Sequence, residues 1–190
     1  MPARNLEFGK FGARGIKGHQ AVARQLDALA GFIATPIIQR RGLLARLHYL
    51  TRSERARTAA RAAGLTATDR TVQAWLDGRR VPSKANLTRI EEAYQQVRRQ
   101  NVARHLAARL NRSGRGTRVE IHPLNQSQVP RPQQRVIEHR TLNVRHWDNL
   151  VQAWADDDEQ ALDAAWVAHM VDLGSSWGRY EHVTTVGFAA

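Results

Sequence analysis

The apolar residues in the first part of the chain recur every three or four positions, which is the spacing of one face of a helix. This spacing runs through residues 19–33, stops before Pro36 and resumes at residues 43–50. Ser53 is placed to cap a third helix that ends at Gly64. Serine accepts a hydrogen bond from the first turn, and glycine adopts the left-handed conformation that often follows a helix. The first part of the chain is therefore predicted to be helical.

Two more helices are predicted before residue 111. Thr68 or Asp69 would cap the first of them, and Gly78 would end it. Ser83 would open the second and longer helix, which is predicted to run on to Leu110.

The pattern changes after the polar, glycine-containing break at residues 111–116. In residues 117–124 apolar and polar side chains alternate, which predicts a strand, and residues 135–144 and 180–188 are two further predicted strands. Residues 147–174 carry two helical stripes. The predicted fold class is α+β, with an N-terminal all-α bundle followed by a small α+β unit in the order strand, strand, helix, helix, strand.

These patterns divide the chain into three segments. Residues 1–18 are rich in glycine and basic side chains and have no helical period, so we interpret them as a flexible basic arm. A tail without a role fits the same residues. Residues 19–112 form the predicted helical domain, and residues 113–190 form the predicted α+β domain.

The charge is distributed unevenly between these domains. The chain has 29 basic and 17 acidic side chains and a net charge of +12. Residues 1–112 carry +15 and residues 113–190 carry −3. A strongly basic surface favours a polyanionic partner, because binding releases the counterions of that partner.

Several classes of site are not predicted. The chain has no cysteine, which excludes disulfides and thiolate chemistry. No serine, histidine and aspartate order, phosphate loop or carboxylate pair indicates an enzyme or a cofactor. His122, His139 and His182 fall on the three predicted strands, and we interpret this as chance placement, so no metal is predicted. No apolar run reaches the roughly 20 residues that cross a bilayer, so we expect no membrane partner and a cytoplasmic, nucleoid-associated protein.

A helix-turn-helix is predicted within the basic part. This motif needs a small residue on its first helix, a glycine in the turn and a branched apolar residue on its second helix, and Ala60, Gly64 and Val72 meet those needs. The eight residues from Gly64 to Val72 are a longer gap than usual, so the turn must absorb the extra residues.

This hypothesis assigns the DNA-facing residues. Arg70 and Gln73 are the candidates for base contacts, since arginine matches guanine and glutamine matches adenine. Phosphate contacts would follow the helix. The predicted surface on and before the second helix is Thr68, Asp69, Arg70, Thr71, Gln73 and Ala74, and the predicted phosphate contacts are Arg79, Arg80, Ser83 and Lys84.

The order of segments resembles that of the Tpg-type telomere terminal proteins of linear bacterial replicons. The segments are LDALAGFIATPIIQRRGLLARLHYL, the helix-turn-helix, RGTRVEI, VPRPQQRVI and VTTVGF, which together cover about residues 25–188. The resemblance implies a protein that binds and caps terminal DNA, meets a telomere-associated protein and a DNA polymerase, and primes synthesis from a hydroxyl side chain. In the family that side chain is a threonine in the loop after the first C-terminal strand. Here Ser127 occupies that loop.

Two other hypotheses remain open. One is a helix-turn-helix transcriptional repressor whose C-terminal domain dimerises or senses a ligand. The other is an enzyme or structural protein whose basic part docks on nucleic acid. A homodimer or another homo-oligomer is expected for the DNA-binding hypotheses.

Overall fold

The computed structural model describes Gly9, residues 11–172 and residues 180–189. Helices and one antiparallel sheet are both present in it, which confirms the α+β class. The helices are α1 (Gly18–Ala30), α2 (Arg40–Thr51), α3 (Glu54–Ala62), α4 (Asp69–Leu76), α5 (Lys84–Asn111), α6 (Asp148–Ala155) and α7 (Glu159–Asp172). The strands are β1 (Ile16–Lys17), β2 (Thr117–Pro123), β3 (Arg140–Val144) and β4 (His182–Ala189). None of the helices described is long and apolar enough to span a bilayer.

The chain forms two compact units whose boundaries differ from those expected from the sequence. The helical unit is Ala30–Val102, and the sheet unit combines residues 1–29 with residues 103–190. The difference arises because α1 is bound by the C-terminal helices. Trp154 Nε1 donates to Asp27 Oδ1 at 2.8 Å, and His19 Nδ1 lies 2.7 Å from Asp163 Oδ1. Such pairs join residues far apart in sequence, so local periodicity does not reveal them.

The helical unit is built around one apolar cluster. Its buried members come from α2, α3, the turn after α3, α4 and the first part of α5: Leu43, Leu47, Leu50, Ala60, Leu65, Val72, Trp75, Ile90, Ala93, Tyr94 and Val97. A buried arginine, Arg46, holds the segment before α2 against this cluster. Its guanidinium donates to the carbonyls of Ile33 and Thr35, and its Nε lies 2.7 Å from Glu91 Oε2.

The helix caps predicted from the sequence are confirmed. Ser53 Oγ accepts from Ala56 N, and Thr68 Oγ1 accepts from Thr71 N. Ser83 Oγ accepts from Asn86 N at 3.3 Å at the start of α5. These caps fix the ends of helices because the first amide groups of a helix have no partner within it.

The sheet has the order β1-β4-β2-β3 and is antiparallel throughout. Along β2 the side chains alternate, with Val119 and Ile121 fully buried and Arg118 and His122 exposed. One face of the sheet is therefore packed, and the other is open to solvent.

Two segments of this unit differ from what the sequence predicts. β1 lies inside the segment that was predicted to be a flexible arm, and Arg14 in the same segment bridges to Asn125. Such short pairings have no periodic pattern that the sequence could reveal. Residues 135–139 are not strand, because the Pro-containing loop continues to Arg140. Residues 1–8 and 10 of the predicted arm and the predicted helix end at Gly174 lie outside the described residues.

A buried histidine joins α1 to α7. His19 is 1% exposed, and its Nε2 lies 3.0 Å from Glu159 Oε1. A protonated imidazole can donate to Glu159 and Asp163 at the same time. The hydrogen bond from His19, aided by the nearby charge of His19 and then of Lys17, lowers the pKa of Glu159.

The stability of the sheet unit is therefore expected to depend on pH through Glu159. A carboxyl group whose pKa is lower in the folded than in the unfolded state stabilises the fold above its unfolded pKa, and this contribution disappears as the pH falls through the folded pKa. Wild type should have a higher melting temperature than Glu159→Gln at neutral pH, and the two melting temperatures should converge in acid. The exposed Glu138 provides the control Glu138→Gln, which should show no such convergence. A constant difference between wild type and Glu159→Gln at all pH values would contradict this expectation.

Candidate nucleic-acid interface

The segment from α3 to α4 is closed by a glycine turn. Gly64 has φ +93°, Gly64 N donates to Arg61 O at 3.0 Å, and Leu65 N donates to Ala60 O at 3.0 Å. This pair of bonds is the Schellman arrangement, in which a left-handed glycine ends the helix and the next apolar residue packs inward. Leu65 is 5% exposed. The longer gap noted in the sequence is taken up by residues 66–68, which precede α4.

The outer side of α4 carries most of the residues predicted to face DNA. Asp69, Arg70 and Gln73 are exposed, as is the cap Thr68. Thr71 is half-buried, and its hydroxyl lies 2.9 Å from that of Thr68. Val72 and Trp75 point the other way into the apolar cluster. The helix therefore presents a polar edge beside an anchored apolar one.

Ala74 does not belong to this surface. Its exposure is 7%, although the sequence placed it among the DNA-facing residues. The chain after α4 folds back on this turn of the helix, where Arg80 N donates to Ala74 O at 3.1 Å. Gly78, at φ +74°, makes this reversal possible.

Asp77 connects a predicted base-reading residue with a predicted phosphate contact. Gln73 Nε2 donates to Asp77 Oδ1 at 2.7 Å, and Arg79 Nε donates to Asp77 Oδ2 at 3.1 Å. The hydrogen bond from Arg79, followed by that from Gln73, holds the pKa of Asp77 below its ordinary value. The carboxylate of Asp77 thus accepts hydrogen bonds from the same Gln73 and Arg79 groups that could otherwise donate to a base or a phosphate.

A second carboxylate at the start of α4 is paired in a similar way. Arg61 Nη2 lies 2.7 Å from both carboxylate oxygens of Asp69, and this hydrogen bond lowers the pKa of Asp69. Asp69 is therefore neutralised locally by a side chain of α3. An acidic residue at this position does not leave an isolated negative charge on the surface.

Basic side chains lie at the C-terminal end of α4 and around it. Arg79, Arg80, Ser83 and Lys84, the predicted phosphate contacts, are all exposed. The structure adds Arg40 and Arg41, exposed residues at the start of α2 that the sequence interpretation did not select. Arg40 Nη2 donates to Leu76 O at 3.5 Å, so α2 begins beside the end of α4. The signal available in the sequence was the adjacent arginine pair just before the predicted helical segment of residues 43–50.

A cavity of about 330 Å³ lies between the start of α3 and the side of α4. Its lining includes Glu54, Arg57, Asp69 and Gln73. Arg57 Nε donates to Glu54 Oε2 at 2.9 Å, and Asp69 is held by Arg61, so the charges of the cavity are already paired.

The predicted attachment residue Ser127 lies in the sheet unit, in the loop between β2 and β3. Its side chain is exposed, and its amide donates to Asn125 Oδ1 at 2.9 Å. The side-chain amide of Gln126 holds the loop across its base. Its Nε2 donates to Arg135 O at 2.8 Å, and its Oε1 accepts from Arg135 N at 2.7 Å. The hydroxyl of Ser127 is thus accessible to solvent, on a loop whose backbone is held by side-chain hydrogen bonds.

The chain matches no protein-family profile, no curated protein and no solved structure with which it was compared.

Proposed function

We propose that the helical unit binds DNA, with α3 and α4 acting as a helix-turn-helix and α4 entering the major groove. The observation that carries this proposal is the polar edge of α4, where Arg70 and Gln73 are exposed next to a group of basic side chains. In this fold class the first residues of the second helix contact base edges, and flanking residues hold the phosphates.

The two ends of α4 would have different tasks. Arg70 lies in the first turn and can donate two hydrogen bonds to guanine, while Gln73 one turn later can pair with adenine. Arg79, Arg80 and Lys84 follow the helix and would meet the backbone of the same groove, with Arg40 and Arg41 beside them. Sequence preference would therefore depend on α4, and general affinity would depend on the basic residues around its C-terminal end.

For the whole chain we propose a terminal protein that caps linear DNA ends and primes their replication. The segment order described above supports this, and so does the exposed hydroxyl of Ser127 in the loop after β2. In the priming step the Ser127 oxygen would attack the α-phosphorus of a deoxynucleoside triphosphate, forming a phosphodiester and releasing pyrophosphate while the hydroxyl proton leaves to a base. A DNA polymerase partner would supply the catalytic site. The alternative is a transcriptional repressor in which the sheet unit serves dimerisation.

A fluorescence anisotropy titration with matched duplex, blunt-end, 3′-overhang and hairpin DNAs tests these proposals. Preference for ends or hairpins supports the terminal protein, and transfer of a labelled deoxynucleotide to wild type but not to Ser127→Ala would support priming. Preference for an internal site with half-sites about one helical turn apart supports the repressor. The absence of binding to any of these DNAs would refute the DNA-binding proposal itself.

Replacement of Asp77 is expected to strengthen DNA binding. Asp77→Asn removes a negative charge that opposes the DNA backbone and competes with the phosphates for Arg79. Because Arg79 already contacts a phosphate in wild type, the gain in affinity should not exceed roughly fivefold at about 0.15 M salt, the value of one whole phosphate contact. The matched control is Asp156→Asn, because Gln152 Nε2 donates to Asp156 Oδ2 at 2.8 Å in the same four-residue spacing on α6. Unchanged or weaker binding by Asp77→Asn, measured by anisotropy, would mean that the carboxylate of Asp77 does not lie beside the bound DNA.

A further inference from the structure

Three potential metal ligands meet on the open face of the sheet unit. Glu120 and His122 are two residues apart on β2, so both side chains lie on the face opposite Val119 and Ile121. His139 comes directly before β3, which pairs with β2 through Ile121 and Arg140. The rings of His122 and His139 have centroids 4.8 Å apart. The carboxylate and the two imidazoles place one ligand atom each within 4.8 Å of the other two.

The distances are close to those of a coordinated ion. Ligand atoms about 2.0–2.1 Å from a tetrahedral metal are separated by roughly 3.3 Å, so closure requires each side chain to move by about an ångström. His122 and His139 are exposed and Glu120 is partly so, which leaves their rotamers free to adjust. A sheet surface supplies the alternation and the pairing that keep the three side chains together.

The backbone around the three residues is held in place. Tyr180, 4% exposed, donates its hydroxyl to Glu138 O at 3.0 Å, which fixes the peptide next to His139. On the other side of β2, Gly187 is the partner of Glu120 and has no side chain to cover it. A Cβ at Gly187 would lie 3.9 Å from Glu120 Cβ, so the glycine keeps this part of the face open.

The neighbouring charge does not block the group. Arg118 Nη2 lies 3.6 Å from Glu120 Oε1, and Arg118 is itself exposed. An exposed ion pair at this distance contributes little, so a metal ion can replace the arginine. The carboxylate would then offset part of the charge of the ion, which two neutral imidazoles cannot do.

We infer that Glu120, His122 and His139 form a binding site for a divalent transition-metal ion, with Zn²⁺ as the expected ion. Imidazole and carboxylate suit zinc and its neighbours, whereas Mg²⁺ and Ca²⁺ prefer oxygen ligands alone. Three protein ligands leave a further position for water or another ligand. Bound metal would tie the end of β2 to the start of β3, at the base of the loop that carries Ser127. The inference concerns the sheet unit alone and is independent of the proposed DNA binding.

Calorimetric titration of the full chain with ZnCl₂ tests the site. The protein must carry no histidine tag and be stripped of metal beforehand. Wild type should bind about one ion per chain with saturation, and an excess of Mg²⁺ should not displace it. His122→Gln and His139→Gln should each weaken zinc binding at least about tenfold, since even residues outside the coordination shell alter affinity by that much. Glu120→Gln should also weaken it.

His146→Gln is the matched control, because His146 is an exposed histidine of the same unit outside the group. It should bind zinc like wild type. Circular dichroism identifies any variant that fails to fold, and hydrogen exchange gives a second readout, since zinc should slow exchange in residues 124–138 of wild type only. The site would be refuted if wild type showed no saturable zinc binding, or if the folded variants His122→Gln and His139→Gln bound zinc as tightly as wild type.

Discussion

The double variant Arg79→Ala/Arg80→Ala is expected to bind every DNA sequence about thirtyfold more weakly than wild type at about 0.15 M salt. Both arginines are exposed after α4, where we place phosphate contacts. Each contact releases about one counterion, so the slope of log affinity against log salt should become shallower by about two units. Because phosphates carry no sequence information, the loss should be equal for preferred and unrelated duplexes. Anisotropy titrations at several salt concentrations measure both quantities.

The control separates a local contact from the general loss of positive charge. Arg104→Ala/Arg109→Ala removes the same charge from exposed positions of α5 that belong to the sheet unit. It should leave the salt slope nearly unchanged. Gln73→Ala, by contrast, should reduce the preference for the best sequence and keep the wild-type slope. Equal slopes of log affinity against log salt for wild type and Arg79→Ala/Arg80→Ala would mean that the two arginines do not contact the DNA backbone.

Trp75→Ala is expected to lower the free energy of unfolding of the helical unit by about 4 kcal/mol. Trp75 is 3% exposed and lies in the apolar cluster that holds α4 against α2 and α5. Truncation loses the burial of the indole and leaves a cavity between helices that cannot close fully. Small domains are stable by only about 5–15 kcal/mol, so this loss removes much of the folded population at raised temperature. Urea denaturation followed by circular dichroism measures the change.

Val81→Ala provides the comparison, because Val81 lies just beyond α4 and is 87% exposed. It should change the free energy of unfolding by less than about 0.5 kcal/mol. Trp75→Ala should also lose DNA binding, in proportion to its unfolded fraction, whereas Val81→Ala should keep a folded α4. A loss below about 1 kcal/mol for Trp75→Ala would contradict the packing role assigned to the indole.

Local signals made the helices and their ends predictable from the sequence. Ser53, Thr68 and Gly78 each act on the backbone within a few residues of their own position, so their chemistry can be recognised without knowledge of the fold. The alternation in β2 was also local. The exposed positions of Arg70 and Gln73 follow from the helical period, because Val72 and Trp75 fix which side of α4 is buried.

The parts that depend on distant pairings were not predictable. β1 is paired with β4 through Ile16 and Val183, and no pattern in a two-residue strand indicates that partner. The assignment of α1 to the sheet unit rests on His19 and Asp163, which are 144 residues apart. Ala74 was placed on the DNA-facing surface by the helix-turn-helix assignment, and it is buried at the turn of α4 to which the chain returns.

The grouping of Glu120, His122 and His139 could not be predicted from the sequence either, because it depends on strand pairing. The sequence placed His122 and His139 on strands, but the ligand set depends on the pairing of β2 with β3, which brings His139 next to His122. It also depends on Glu120, which is one of several glutamates in the sequence. Only the strand shows that Glu120 lies on the same face of the sheet as His122. Strand register therefore turns residues that seemed scattered by chance into one group.

A nuclear magnetic resonance titration of the isotopically labelled chain with a short duplex tests the central claim most directly. If α4 enters the major groove, amide signals should shift or broaden at residues 69–80, at Ser83 and Lys84, and at Arg40 and Arg41. Signals of α6 and α7 should remain in place. Changes concentrated on β2 and β3, or spread evenly over all basic residues, would contradict the assignment of α4 as the DNA-reading helix.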